Sequence, residues 1–341
     1  MRIIEVRAVQ PDSPTSPSDW RTSLGQILVA IDADEGLTGY GVGGGGAAGI
    51  HVVRTVLRDL LLGADPAPVE EIWERLYRAT LPYGRKGLAI MALSGVDLAL
   101  WDLRGKAAGQ PLAVWLGGQG GEPIPAYATL SGSPTEALRQ GYRAFKVHAG
   151  VEGATAIDEL IDQVKSVRDE IGPECDLMID AFMRWDVDST LRVDKALQSA
   201  KLDWIEEPLS PDDLDGYERL SRECSAPIAG GEHEHTAVGF APLIERKLHR
   251  VLQPDVCWCG GMTELVKIYA AGQAAGLRVC PHRGSELWSL HAIAALDRTP
   301  LAESSRPWMT WVGGQPQVVD GHVILGDAPG FGVEIDRGLF T

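Results

Sequence analysis

The sequence predicts an α/β protein, a TIM-type barrel carrying a smaller α+β capping domain. Three observations lead there. From Ile124 onward, eight short apolar runs alternate with amphipathic helices, the pattern of parallel strands joined by crossover helices. Glu206 lies 26 residues after Asp180, and Glu232 lies 26 residues after Glu206, a repeat of about one strand, one helix and two loops. Residues 1–121 show a different pattern, antiparallel strands followed by helices.

In order, Ile3–Val9 alternates, and Gln26–Asp32 and Leu37–Val42 flank the turn Ala33-Asp34-Glu35-Gly36, a hairpin signal. The proline-rich loop Pro11–Ser23 lies between the first two strands, and its Trp20 and Arg21 are candidate lid and substrate contacts. The glycines from Gly36 to Gly49 lack the Lys-Ser/Thr of a phosphate loop and read as a flexible turn into the next helix. Helices are expected at His51–Leu62, Pro68–Leu76 and Lys86–Ala108, the last stopped by Gly109-Gln110-Pro111. A glycine-rich link through Gly121 sets the boundaries: a cap at 1–121, a barrel at 122–313, and a C-terminal segment at 314–341 that packs back on the cap.

The barrel runs are Pro125–Leu130, Ala144–His148, Leu177–Asp180, Trp204–Glu206, Ile228–Glu232, Val251–Asp255, Arg278–His282 and Leu301–Glu303. Between the second and third, Ala156–Ile171 places Ile157, Leu160, Ile161, Val164 and Val167 on one helical face. All six runs from the third onward end in an acid or an acid–base residue, and a barrel of this type keeps its chemistry at the carboxyl ends of its strands.

Equal spacing is expected to bring Asp180, Glu206 and Glu232 to one height on adjacent strands about 5 Å apart. Three anions so close require a cation between them, and oxygen ligands select a hard divalent ion, Mg²⁺. Asp255 and His282 on neighbouring strands can form a carboxylate–imidazole pair that serves as a proton shuttle. Lys146 and His148, two apart on one strand, face the same way.

The formal charge of −16 argues against nucleic acid or an anionic membrane as partner. Five cysteines (175, 224, 257, 259 and 280) form no framework, which suggests reduced thiols and a cytoplasmic location. Cys257-Trp258-Cys259 has no second pair to complete a zinc site. No apolar stretch reaches membrane-span length.

The stretches MALSGVDLALWDLRGKAAGQPLAVWLGG, LMIDAF, WIEEP, GGEH, QPDVCWCGGMTELVKI, VCPHRGSE and PGFGVEID, with Glu303, resemble the enolase superfamily in its mandelate racemase branch. Within that branch, MIDAFM, DWIEEPL and PHRGSELWSLHAI are most similar to the L-rhamnonate dehydratases and related acid-sugar dehydratases. Phe182 departs from the Asn common in the branch but matches that subgroup. The resemblance implies a (β/α)₇β barrel under a two-part cap, Mg²⁺ on Asp180, Glu206 and Glu232, a His282–Asp255 dyad, and assembly as a homo-oligomer. Glu207 is not assigned to the metal, because the family pattern uses the first Glu of the pair. Many relatives carry Lys-x-Lys where this chain has Lys146-Val147-His148, so His148 is either a base or a substrate contact.

The expected chemistry is abstraction of the proton α to a carboxylate, leading to dehydration of a small sugar acid to a 2-keto-3-deoxy acid by a hydro-lyase. Lys146 and Glu303 would assist at the carboxylate oxygens. His233 and Arg283 are candidate substrate contacts, and the loop Trp308–Trp311 is a further lid candidate. Epimerisation or racemisation at the α-carbon and lactone cycloisomerisation are the alternatives, and a catalytically silent barrel acting as a binding protein is the reading from another class.

Overall fold

The computed structural model describes residues 1–11, 25–130, 132–149, 154–283, 286–304 and 309–340. Trp20, Arg21 and Trp308 lie outside these residues, whereas Trp311 is part-buried against the core. The cap opens with an antiparallel sheet of Ile3–Val9 (β1), Ile27–Ala33 (β2) and Thr38–Gly43 (β3), in that order. Helix then runs through Gly46–Val52, a π turn at Val53–Leu57 and Arg58–Leu61, followed by helices Val69–Thr80 and Leu88–Ala108 and a single turn Leu112–Trp115.

The glycines expected to form a flexible turn do something else. Gly39, Gly41 and Gly43 share one face of β3, and a Cβ on them would meet the carbonyl oxygens of Ala99, Gly95 and Met91 at 2.0, 2.2 and 2.3 Å. The backbone of the Leu88–Ala108 helix therefore lies directly on the strand, a close approach only glycine permits. The opposite side of that helix meets the barrel helix Met262–Ala274. Asp97 accepts hydrogen bonds from Thr263 N (3.0 Å) and Oγ1 (2.6 Å), and Trp101 Nε1 donates to Thr263 Oγ1 (2.9 Å). Burial on both sides accounts for a sequence apolar all round, and Gly109, with φ of 64°, ends the helix.

The barrel strands are Ile124–Leu130 (β4), Ala144–His148 (β5), Asp176–Asp180 (β6), Trp204–Glu206 (β7), Ile228–Gly230 (β8), Val251–Leu252 (β9), Arg278–Val279 (β10) and Ala302–Glu303 (β11). They form a parallel sheet in the order β10-β9-β8-β7-β6-β5-β4-β11. At the seam between β10 and β11, Cys280 Sγ donates to Leu301 O at 3.5 Å. Inside, Tyr127, Ala144, Met178, Trp204, Ala229, Val251, Cys280 and Leu301 form one buried apolar cluster, one residue from or beside each strand. A shared cluster of that kind is the filled interior of a TIM-type barrel.

The C-terminal segment serves both parts. After Val312–Gly313 (β12), His322–Val323 (β13) pairs antiparallel with Pro125 and Ile124 of the barrel. Glu334–Ile335 (β14) returns to β12, Phe331 N donates to Asp102 of the cap (2.9 Å), and Arg337 Nη2 donates to Thr38 Oγ1 (2.6 Å).

Candidate active site

Three barrel strands end earlier than the apolar runs suggested. β8 stops at Gly230, β9 at Leu252 and β10 at Val279, because Gly231 turns at φ of +124° and Pro254 and Pro281 have no N–H for the ladder. Glu232, Asp255 and His282 therefore sit in the turns just beyond. The register corrects the expectation of equal height. His148 pairs with Asp180 and Asp180 with Glu206, so these three are level. Glu206 pairs with Ala229, which leaves Glu232 three residues farther on, folded back by the turn.

Asp180, Glu206 and Glu232 are all buried. Lys146 Nζ lies 2.7 Å from Glu206 Oε1, 3.6 Å from Asp180 Oδ2 and 3.5 Å from Glu303 Oε1. Glu232 Oε2 faces His282 Nε2 at 2.8 Å. The ammonium thus stands among Asp180, Glu206 and Glu303, and the imidazole stands against Glu232. Among the described residues, the group of three whose donor atoms all lie within 4.8 Å of each other is Glu207, Glu232 and His233.

Charge is nonetheless out of balance. Burial raises Glu206 to about 7, and the single ammonium of Lys146, shared among three acids, does not offset Asp180, Glu232 and Glu303 around it. Burial opposes the charge on Lys146, but Glu206 and Glu303 outweigh it and lift its pKa well above the usual value. For Glu232 burial is likewise outweighed, here by His282, and its pKa falls. An excess of hard, buried oxygen donors over cations fits a divalent ion such as Mg²⁺.

His282 Nδ1 lies 2.9 Å from Asp255 Oδ2, the expected pair. Asp255 also receives Cys257 N (2.8 Å) and Arg283 Nε (2.9 Å). Arg283 therefore does not reach outward. It is buried, turned back by a φ of 53°, with its guanidinium between Asp255 and Glu286. Burial penalises the Asp255 carboxylate, yet Arg283 and His282 pull its pKa down and keep it ionised. Glu303 accepts from Thr129 Oγ1 (3.1 Å) and Arg283 N (2.8 Å), and its Oε2 lies 4.0 Å from His282 Nε2.

His148 is exposed at the mouth and begins an arc of rings. Its centroid is 5.9 Å from Phe182, which is 6.0 Å from His233, then 6.0 Å to Trp258 and 6.1 Å to His282. Sequence reasoning missed the residues that hold the first ones in place. Trp204 Nε1 and Gln253 Nε2 both donate to Glu206 Oε2, at 3.0 and 2.7 Å. Trp204 stands two residues before Glu206 on β7, a spacing that shares a strand face, whereas Gln253 lies just past the end of β9.

Residues 3–117 match the mandelate racemase/muconate lactonizing enzyme N-terminal domain, and residues 133–339 match the enolase C-terminal domain-like family. The chain belongs to the enolase superfamily, in its mandelate racemase branch. It is 38% identical over 328 residues to an L-rhamnonate dehydratase of Saccharopolyspora erythraea, covering 92% of this chain and 84% of that one. Among solved structures, this superfamily member is similar to the L-rhamnonate dehydratase of Gibberella zeae (TM-score 0.89, 32% identity, 99% and 94% of the two chains). It is also similar to a racemase from Streptomyces coelicolor A3(2) with bound magnesium (TM-score 0.87, 32% identity, 99% and 98%).

Proposed function

We propose that the protein is a Mg²⁺-dependent hydro-lyase that converts a sugar acid to a 2-keto-3-deoxy acid. The observation that carries this reading is the imidazole of His282, held by Asp255 on one nitrogen and aimed by the other at the buried acid cluster opposite Lys146. Asp180, Glu206 and Glu232 would hold the ion, which when bound withdraws charge from the substrate carboxylate and makes the adjacent proton removable.

The residues supply the rest. Asp255 fixes the proton on His282 Nδ1 and leaves Nε2 to accept the α-proton. Lys146, already among the acids, and Glu303 face the carboxylate oxygens where negative charge develops. The C–O bond at the β-carbon then breaks, and the departing hydroxide leaves as water with the proton returned by His282 Nε2. The enol product takes up a proton to become the keto acid. With one group as base and acid, elimination is syn. The similarity to characterised dehydratases supports this direction of chemistry.

His148 favours a second reading. It stands exposed on β5, well around the barrel from His282, and two bases on two faces of an α-carbon permit epimerisation. Incubation with an acid-sugar library and Mg²⁺ is expected to yield 2-keto-3-deoxy product. Exchange of the α-proton in D₂O without keto acid would instead establish the epimerase. No Mg²⁺ binding near millimolar concentration and no turnover on any member would leave a non-catalytic binding protein. Homo-oligomeric assembly, expected from the family, is tested by light scattering against the 36.7 kDa of one chain.

A further inference from the structure

The arc of rings at the mouth contains one polar group that can only donate. Trp258 is half-buried, and its ring is held by its neighbours. The Arg283 guanidinium lies 5.4 Å from its centroid, and the centroids of His233 and His282 lie 6.0 and 6.1 Å away. Arg283, turned inward between Asp255 and Glu286, is thus the support against which the indole rests. The indole Nε1 is neither enclosed nor bonded to any described residue. It differs in this from Trp73 and Trp101, whose Nε1 atoms donate to Gly260 O at 2.7 Å and Thr263 Oγ1 at 2.9 Å. It also faces the cap. A Cβ on Gly44 would stand 3.0 Å from Nε1, so the glycine leaves that edge of the indole clear.

We propose that Trp258 is a specificity-determining residue whose indole N–H donates to a hydroxyl oxygen on the distal part of the substrate chain. An indole nitrogen carries one hydrogen and offers no lone pair, so neither tautomer nor pH alters its role. The carboxylate end of a sugar acid belongs with Lys146 and the acids inside the barrel, whereas Nε1 faces Gly44 of the cap. The oxygen it meets therefore lies beyond the reacting carbons. A chain filling the mouth displaces water from Nε1, so a substrate with no oxygen at that place leaves a donor unpaired, and the site rejects it. The hydroxyl rests on the sugar-acid reading above, whereas the open donor does not.

Trp258→Phe keeps an aromatic ring against Arg283 and removes the donor. On the sugar acid of the library that is turned over best, it is expected to raise KM about tenfold, the effect of one lost hydrogen bond, while kcat changes less. Deoxy analogues of that acid locate the partner. The wild type should lose about tenfold in kcat/KM on the analogue lacking the distal hydroxyl, and Trp258→Phe should lose nothing further on it. An equal loss from Trp258→Phe on every analogue, or a fall in kcat alone, overturns the proposal. Gly44→Ala sets a methyl group against Nε1 without backbone strain, since Gly44 has no positive φ, and should raise KM in the same way. If Trp258→Phe fails to fold, an unchanged KM in Gly44→Ala overturns the proposal instead.

Hydrogen exchange tests the donor without a substrate. The Trp258 indole signal, assigned by its loss in Trp258→Phe or its shift in Gly44→Ala, is expected to exchange in D₂O much faster than those of Trp73 and Trp101. It should move, and its exchange should slow, when the sugar acid binds with Mg²⁺. Slow exchange in the free protein overturns the proposal, because the N–H would then already have a partner. Fast exchange with no library member bound supports the open donor and counts against the sugar-acid reading alone.

Discussion

Two successive layers inside the barrel differ by only two residues along the strands. Ala144, Met178 and Trp204 belong to the apolar plug, and Lys146, Asp180 and Glu206 stand directly above them. The lower layer gains from removing apolar surface from water. The upper layer buries one ammonium and several carboxylates, which gains nothing unless the charges are paired or a cation joins them. Strand alternation builds both layers, so stability and chemistry are stacked on the same strands rather than assigned to different parts of the chain.

The separation predicts opposite outcomes for changes in the two layers. His282→Asn is expected to lower kcat by about 10²–10⁴ while leaving the thermal midpoint nearly unchanged, as measured by turnover and calorimetry on one sample. Met178→Ala should do the reverse, costing about 2–5 kcal/mol of stability in denaturant titrations with kcat of the folded fraction retained. If both variants lost activity and stability together, the layers would not be separable.

Acid should act on groups outside either layer. His249 and His291 are buried and held down at about 4 by burial. His291 Nδ1 accepts Ala113 N at 2.9 Å, while Nε2 lies 3.2 Å from Phe331 O. The unfolded chain binds these protons near pH 6.5 and the folded chain only near 4, so stability is full above 6.5 and falls as pH drops through that interval. Each histidine is worth up to about 3 kcal/mol, read as the pH dependence of unfolding and reduced in His291→Asn.

Asp97 has the opposite slope. Burial raises it to about 8, so the folded state keeps a proton that the unfolded state releases near 4, and stability declines as pH rises between the two. Asp97→Asn is expected to flatten that slope. The smallest effect is expected for Trp204→Phe, which keeps the ring in the lower layer and removes one donor to Glu206 in the upper. It should cost about 1 kcal/mol, since Gln253 still donates.

Much of this arrangement was legible in the sequence. Short apolar runs and the repeat length placed eight strands, and the identity of the final residue in each run placed Asp180, Glu206, His282 and their neighbours at one mouth. What stayed hidden depended on partners distant in sequence. Nothing local in TGYGVG says that a helix some fifty residues later will lie on its glycines. Arg283, next to a catalytic candidate, reads as a substrate grip until Asp255 and Glu286 are seen around it. Pro254 and Pro281 were visible, yet their shortening of β9 and β10 was masked by the apolar residues around them.

The Leu88–Ala108 helix, seated backbone to backbone on β3 and tied through Asp97 and Trp101 to Thr263, joins the cap sheet to the barrel. A clamshell motion would have to tear the buried hydrogen bonds from Asp97 and Trp101 to Thr263, which close-packed interfaces resist. The amides of this one helix should be among the last in the molecule to trade hydrogen for deuterium.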